Sequence, residues 1–312
     1  MSLNNSNKQN DINEDPTFSP EGDYIVRATA KKGMIRAFAC RTTNLCREAV
    51  RIHGLSPVAA AALGRLMSGV LMLGQDLKND NDTITAIVRG DGALGGMTVV
   101  GTAQAGVRGY CHNPVVETTY HKPGKLDVGQ AVGGGTLTVI KDMGLKEPYM
   151  GKVELVSGEI AEDLTYYLAV SEQVPSAVAL GVSMSSEGIT HSGGIIIQLM
   201  PDAPNDLIDW LEQRLGGFPE ISYLMEEGFN PHQILDLLFG DPDIIYHQTT
   251  PCSYSCPCSR ERMERNLMTL GTEDLRHLAA EPSGIELECH FCDRRYNFSQ
   301  NEIEEMLVGL QE

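Results

Sequence analysis

The spacing of four cysteines near the C-terminus constrains this chain more than any other feature. Cys256-Pro-Cys258 is followed some thirty residues later by Cys289-His-Phe-Cys292. Thiolates at i and i+2 project from one side of an extended segment, and those at i and i+3 of a tight turn can grip one ion. Two such pairs make a four-thiolate tetrahedral site, whose soft ligands select zinc. An iron–sulfur cluster is the competing occupant, but the spacing matches no ferredoxin pattern. Four cysteines buried only as small hydrophobes would not need this arrangement. The segment that carries them, about 60 residues long, is too small to stand on its apolar core alone. Metal binding of order 10 kcal/mol would therefore carry its folding.

The other cysteines show no such pairing. Cys252 reads as a spare thiol, and Cys40, Cys46 and Cys111 as half-buried apolar residues. His290 lies inside the second pair, whose own cysteines complete the site, so it reads as a bystander. A Cys-x-Cys or Cys-x-x-Cys unit can also close a disulfide within itself. Zinc would hold the sulfurs as thiolates, the oxidisable form, and an oxidant would expel the metal. The segment is thus a candidate redox switch for folding. Four thiols allow three pairings, and the spacing does not choose among them.

Charge marks a second region. The chain of 312 residues has 24 Lys+Arg against 42 Asp+Glu, a formal net charge of -18. Such a chain repels phosphate backbones and anionic membrane surfaces, which argues against nucleic-acid and membrane partners. Residues 202–250 hold ten acidic residues and one basic residue, Arg214, so half the net charge falls there. Leu207, Ile208, Leu211 and Leu215 nevertheless recur at helical spacing, as do Ile221, Leu224 and Met225, and Asn230-Pro231 opens a third helix with Ile234, Leu235, Leu237 and Leu238. Each helix is shorter than the roughly 12–15 residues at which an isolated helix is marginal. They are expected to fold only by docking, as a metastable acidic linker.

Upstream, hydrophobic alternation predicts a hairpin over Tyr24–Ala30 and Met34–Cys40, and further strands over 83–89, 97–103, 137–140, 149–155, 178–184 and 194–200. Helices are predicted over 43–53, 57–73 and 160–171. The second carries Ser56 as N-cap and Pro57 at its first position, and its apolar run reads as a buried core helix rather than a membrane span. Hairpins with interspersed helices argue an α+β fold. The expected organisation is a disordered extension over 1–22, a core domain over 23–201, the linker over 202–250 and the zinc domain over 251–312. The polar first residues lack the apolar stretch of a secretory signal, so a cytoplasmic location with reduced thiols is expected.

Two rival functions have weak support. Gly90-Asp-Gly-Ala-Leu-Gly95 matches a dinucleotide-binding pattern, but Met97 to Ala103 reads as a strand where a helix is needed. No other catalytic motif is present, and Glu159, Glu162 and Asp163 suit a helix N-terminus. The chain is not expected to be an enzyme. A constitutive zinc ribbon that binds nucleic acid or a protein partner is the alternative. Arg260, Arg262 and Arg265 lie on one face there, but Glu261 and Glu264 interleave.

Cys256-Pro-Cys-Ser-Arg-Glu-Arg262 with Cys289-His-Phe-Cys292 resembles the zinc domain of the redox-regulated 33-kDa heat-shock chaperones, the 33 kDa chaperonin family. Asp23-Tyr-Ile-Val-Arg-Ala, His53 to Arg65, Gly90 to Gly95, Ser171-Glu-Gln-Val-Pro175 and Gly193 to Pro201 resemble its N-terminal domain in the same order. The resemblance implies an ATP-independent holding chaperone, silent when reduced and carrying one zinc on Cys256, Cys258, Cys289 and Cys292. On oxidation it implies disulfides Cys256–Cys258 and Cys289–Cys292, zinc release, linker unfolding, homodimer formation and binding of unfolding client proteins. Release of Leu207, Ile208, Trp210, Leu211, Leu237, Leu238 and Phe239 would expose apolar surface. The polar N-terminal extension departs from the family pattern, and Cys252 could compete in disulfide exchange.

Overall fold

The computed structural model describes residues 22–122, 124–201, 203–240, 242 and 244–309. The expected disordered extension lies outside these residues except for Gly22, as do three of the linker acids, Asp202, Asp241 and Asp243. In chain order, β1 (Tyr24–Ala30) and β2 (Ile35–Arg41) form the predicted hairpin, followed by α1 (Thr43–His53) and α2 (Pro57–Leu73). A meander of β3 (Thr83–Gly90), β4 (Met97–Thr102) and β5 (Gly106–Cys111) precedes the small hairpin β6 (Tyr120–Lys122) and β7 (Lys125–Leu126). Then come α3 (Val128–Val132), β8 (Gly135–Asp142), β9 (Tyr149–Glu154), α4 (Ala161–Val170), β10 (Ser176–Ser185) and β11 (Gly188–Leu199). The acidic segment forms α5 (Asn205–Gly216), α6 (Ile221–Glu226), α7 (Pro231–Phe239) and β12 (Ile245–Pro251). After β13 (Ser253–Tyr254), the chain ends in α8 (Arg260–Met268), α9 (Thr272–Ala279), β14 (Ile285–Glu288), β15 (Arg295–Phe298) and α10 (Gln300–Gly309).

The mixed α+β core is built from two sheets. One has the order β10-β11-β2-β1-β12, and the other β13-β5-β4-β3-β8-β9. Helix α2 lies between them and is buried on nearly every side, as its all-round apolar composition requires. It is long and apolar enough to cross a membrane, but 89% of that stretch is buried inside the protein. Ser56 holds the N-cap position with Pro57 after it, but its hydroxyl makes no capping bond and instead accepts from the Val116 amide at 3.2 Å. The glycine-rich segment 90–95 turns into strand β4, not a helix. A side chain at Gly90 or Gly92 would strike the backbone of Val132 or Ala131, so close packing on α3 accounts for these glycines. Two of the acids that suit a helix N-terminus have structural partners as well as, for Asp163, its place in the first turn of α4. Glu159 pairs with Arg65 of α2 at 2.5 Å, and the buried Asp163 carboxylate accepts from the amides of Val156, Ser157, Gly158 and Ile160.

The five-stranded sheet has two apolar faces, following the period of two along its strands. Ile25, Phe38, Cys40 and Ile196 join the cluster around α2. Tyr24, Val26, Ala28, Ala37, Ala39, Ile195 and Ile197 point the other way. That second face packs against the acidic segment, with Leu211, Ile221, Leu224, Met225, Ile234, Leu235, Leu238 and Phe239 buried on it. Asp206, Asp209, Glu212, Glu220, Glu226, Glu227 and Asp236 all remain exposed. Leu237, expected among the residues hidden by docking, is already 42% exposed.

The segment is not helices alone. β12 pairs antiparallel with β1, from Tyr24 opposite Pro251 to Thr29 opposite Ile245, with a bulge at Arg27/Ala28. The Tyr246 hydroxyl reaches back to α7, donating to Asp236 at 2.5 Å or His232 O at 3.0 Å. Within the segment, Arg214 of α5 donates to Leu238 O at 2.9 Å, satisfying the C-terminal end of α7. Asn230 and Gln233 form a capping box at the other end. The local chain is therefore well made for helices, but its apolar face exists only against the sheet. Replacing fully buried Leu235 by Ala removes roughly 2–5 kcal/mol of that packing. Trp210, the only tryptophan, sits in α5. In Leu235→Ala its fluorescence transition should fall by about 10 °C or more, while the core melts as before.

Candidate metal centre

The first cysteine pair follows β13, which lies parallel to β5 with Ser253 opposite Gly106 and Tyr254 opposite Val107. The chain runs extended through Cys256 and Cys258 and is stopped by α8, whose N-cap Ser259 accepts from the Arg262 amide at 3.2 Å. The second pair occupies the turn between β14 and β15. There Cys292 N and Asp293 N donate to Cys289 O at 3.1 and 2.8 Å, and Cys289 N donates to Arg294 O at 2.9 Å. Asp293 takes the left-handed conformation that closes the turn, with φ 56°.

The four Sγ atoms all lie within 4.8 Å of one another. Cys256 and Cys289 are 3.7 Å apart, and Cys258 and Cys292 3.2 Å. Four sulfurs about 2.3 Å from a tetrahedral zinc ion would stand about 3.8 Å apart, so this donor set fits that ion. Both of these short contacts run between the two pairs, and all four sulfurs lie within 4.8 Å, so the geometry does not select the pairing of near neighbours. Cys289 is buried and the other three are half-buried.

The four sulfurs are not equivalent. Burial pushes the Cys256 thiol up to about 11 and raises Cys292 further. At Cys258 burial also acts upwards, but hydrogen bonds from the Tyr296 hydroxyl, at 3.2 Å, and from the neighbouring thiols bring it down to about 7. Burial lowers the affinity of Arg108 for its proton, while the Cys256 and Cys289 sulfurs beside it act in the opposite sense.

The remaining candidates lie elsewhere. Cys252 is buried in the core with its thiol 3.7 Å from Arg41 O. Cys40, Cys46 and Cys111 are buried completely or nearly so rather than by half, because they face α2 and its neighbours. His290 stacks on Tyr110, with ring centroids 5.7 Å apart, and does not face the four sulfurs as a fifth donor. Of the arginines, Arg260 is held by Glu302 and by the face of Phe298. A set of residues that spacing did not single out, His53, Arg108 and Tyr110 of the core and Tyr254 of β13, surrounds the Cys289–Cys292 turn. They come from distant parts of the sequence, which explains why no local signal marks them.

Fold and site together define a class: an α+β protein whose small C-terminal thiol cluster, competent to hold a metal, is docked on a two-sheet core. Comparison with known proteins narrows this. The family model described as Hsp33 protein matches residues 23–299. The 33 kDa chaperonin of Ruminiclostridium cellulolyticum is 52% identical over 92% of this chain and 98% of its own length. That of Acetivibrio thermocellus is 50% identical over 90% and 95%. The crystal structure of the 33 kDa chaperonin from Thermotoga maritima, a heat shock protein 33 homolog, superimposes with a TM-score of 0.84. It is 34% identical and covers 93% of this chain and all of its own. The chain belongs to the Hsp33 family of chaperones.

If the four sulfurs hold one ion, Cys256→Ser or Cys289→Ser should lower tightly bound zinc from about one per chain to a small fraction. The same substitutions should cost the C-terminal segment its cooperative melting. Zinc quantitation after gel filtration, with circular dichroism, checks both.

Proposed function

We propose that this protein is a redox-regulated, ATP-independent holding chaperone, working in the cytoplasm where reduced thiols are the resting state. Cys256, Cys258, Cys289 and Cys292 hold one zinc ion in the silent form. When bound, zinc supplies charge neutralisation for four clustered thiolates and a cross-link between two chain segments.

Oxidation then joins Cys256 to Cys258 and Cys289 to Cys292. This pairing follows the family's neighbour pattern. Each pair loses two electrons to one hydrogen peroxide, the O–O bond breaks, one S–S bond forms, and two protons are taken up to give two waters. Disulfide sulfurs no longer carry the charge that binds the metal. Residues 251–312 then rest on a small apolar cluster, with six buried side chains among the described residues, from Leu267 to Met306, and partly buried hydrophobics packed around them. A core of that size does not sustain about 60 residues by itself.

Unfolding there frees the C-terminal end of β12, which then keeps only its pairing with β1, and so loosens the segment 202–250. Lifting α5–α7 bares the second face of the five-stranded sheet, including Val26, Ala28, Ile195 and Ile197. Both freed surfaces would bind apolar segments of unfolding proteins, and a homodimer would form on activation. The exposed carboxylates would keep the opened chain soluble. The observation that carries this reading is the convergence of the four Sγ atoms in a domain with so small a core.

Reduced, zinc-loaded protein should fail to suppress aggregation of a heat-unfolding client. After peroxide at elevated temperature it should release about one zinc per chain to a chromogenic chelator and suppress light scattering without ATP. Activity unaffected by oxidation, or zinc retained in the active form, would contradict the reading. Tight, salt-sensitive RNA binding by the reduced form would instead favour a nucleic-acid module.

A further inference from the structure

The geometry points to an interdomain clamp on Phe291, the residue beside Cys292 within the ligand-bearing turn. We infer that the residues gripping it, from the core and from β13, set how readily the thiol cluster gives up its metal. This refines the regulation of the redox site and rests on the reading above.

The turn from Cys289 to Asp293 presents its non-cysteine residues to the core. The Phe291 ring meets Tyr110 of β5 edge-on, with centroids 5.2 Å apart and planes at 78°. Its face receives the Arg108 guanidinium at 5.0 Å. The Phe291 carbonyl accepts from the Tyr254 hydroxyl, which also lies 3.0 Å from Gly109 O. His53 at the end of α1 stands 3.2 Å from that hydroxyl and 3.4 Å from the Asp293 carboxylate. His290 also stacks on Tyr110, with centroids 5.7 Å apart.

These contacts couple a chemical event to a mechanical one. To join, the Cys289 and Cys292 sulfurs, now within 4.8 Å, must close to about 2.05 Å with a restricted torsion. The two residues between them must reshape, and Phe291 cannot then keep both its ring and its carbonyl in place. Whatever the clamp contributes in the reduced form therefore opposes oxidation. By linkage, loosening the clamp must loosen the site. Tyr110 and Tyr254 act as positioning residues, because they act through the turn and not on a sulfur.

The test uses full-length, reduced, zinc-loaded protein. Tyr254→Phe removes only the hydroxyl, and Tyr110→Ala removes the ring. Both should speed peroxide-driven zinc release about 3- to 10-fold, the range expected for an aromatic or hydrogen-bonded contact. Tyr110→Phe, which keeps the ring edge, should release at the parent rate. Phe291→Ala should match Tyr110→Ala, and the double variant should be no faster than either single one. Hydrogen exchange of residues 289–293 without oxidant gives a second readout, which should rise in Tyr254→Phe while β2 and β3 stay protected.

Parent-like release and exchange in both Tyr254→Phe and Tyr110→Ala would overturn the clamp, as would multiplicative effects in the double variant. If the parent releases no zinc on oxidation, the redox reading fails. The exchange experiment still decides whether the clamp exists.

Discussion

A sheet with apolar residues on both faces needs two covers, and the five-stranded sheet of this protein has covers of different kinds. One is α2, a helix buried on nearly all sides between two sheets and integral to the core. The other is a run of three short helices whose outward surface is acidic and whose inward surface packs on that sheet. Burial of the second face is strong enough to order helices too short to persist alone. It is also confined to one interface, so the proposed opening would leave the first core intact. Sub-global opening of this kind requires a contiguous unit joined to the remainder by few interactions.

In the proposed switch, the strand β12 makes that unit answerable to the cysteines. It zips onto β1, contacts α7 through Tyr246, and leads within a few residues to Tyr254 and Cys256. Stability can thus pass from the thiol cluster to the turn, from the turn to β5 and α1, and along β13 and β12 to the cover of the sheet. The net charge takes on meaning in this frame. Residues 202–250 carry −9 of the −18; the seven described acids lie on an exposed surface, and Arg214 bonds to the end of α7. Mutual repulsion favours opening, while apolar burial opposes it.

Much of this was legible in the sequence because its signals are local. The cysteine spacings act over two and three residues, and the helical repeats of Leu207 to Leu215 and Ile234 to Leu238 act over one or two turns. β12 was not legible. Ile245-Tyr-His-Gln-Thr-Thr-Pro251 is polar, half-exposed and at a sheet edge, and its conformation is imposed by β1, more than two hundred residues away. The depth of Cys40, Cys46 and Cys111 escaped for a similar reason: small residues carry little information about how far inside a strand lies. The residues around Phe291 belong to α1, β5, β13 and the second cysteine turn. They meet only after the chain has folded.

The central claim is that the thiol cluster holds the cover of the sheet in place, and amide hydrogen exchange resolved by segment tests it most directly. With protein compared in the reduced zinc-loaded and peroxide-oxidised states, protection across 205–251 should be lost on oxidation, while β2, β3 and α2 keep theirs. Oxidised protein that has shed its zinc yet still protects 205–251 as strongly as the reduced form would contradict the account.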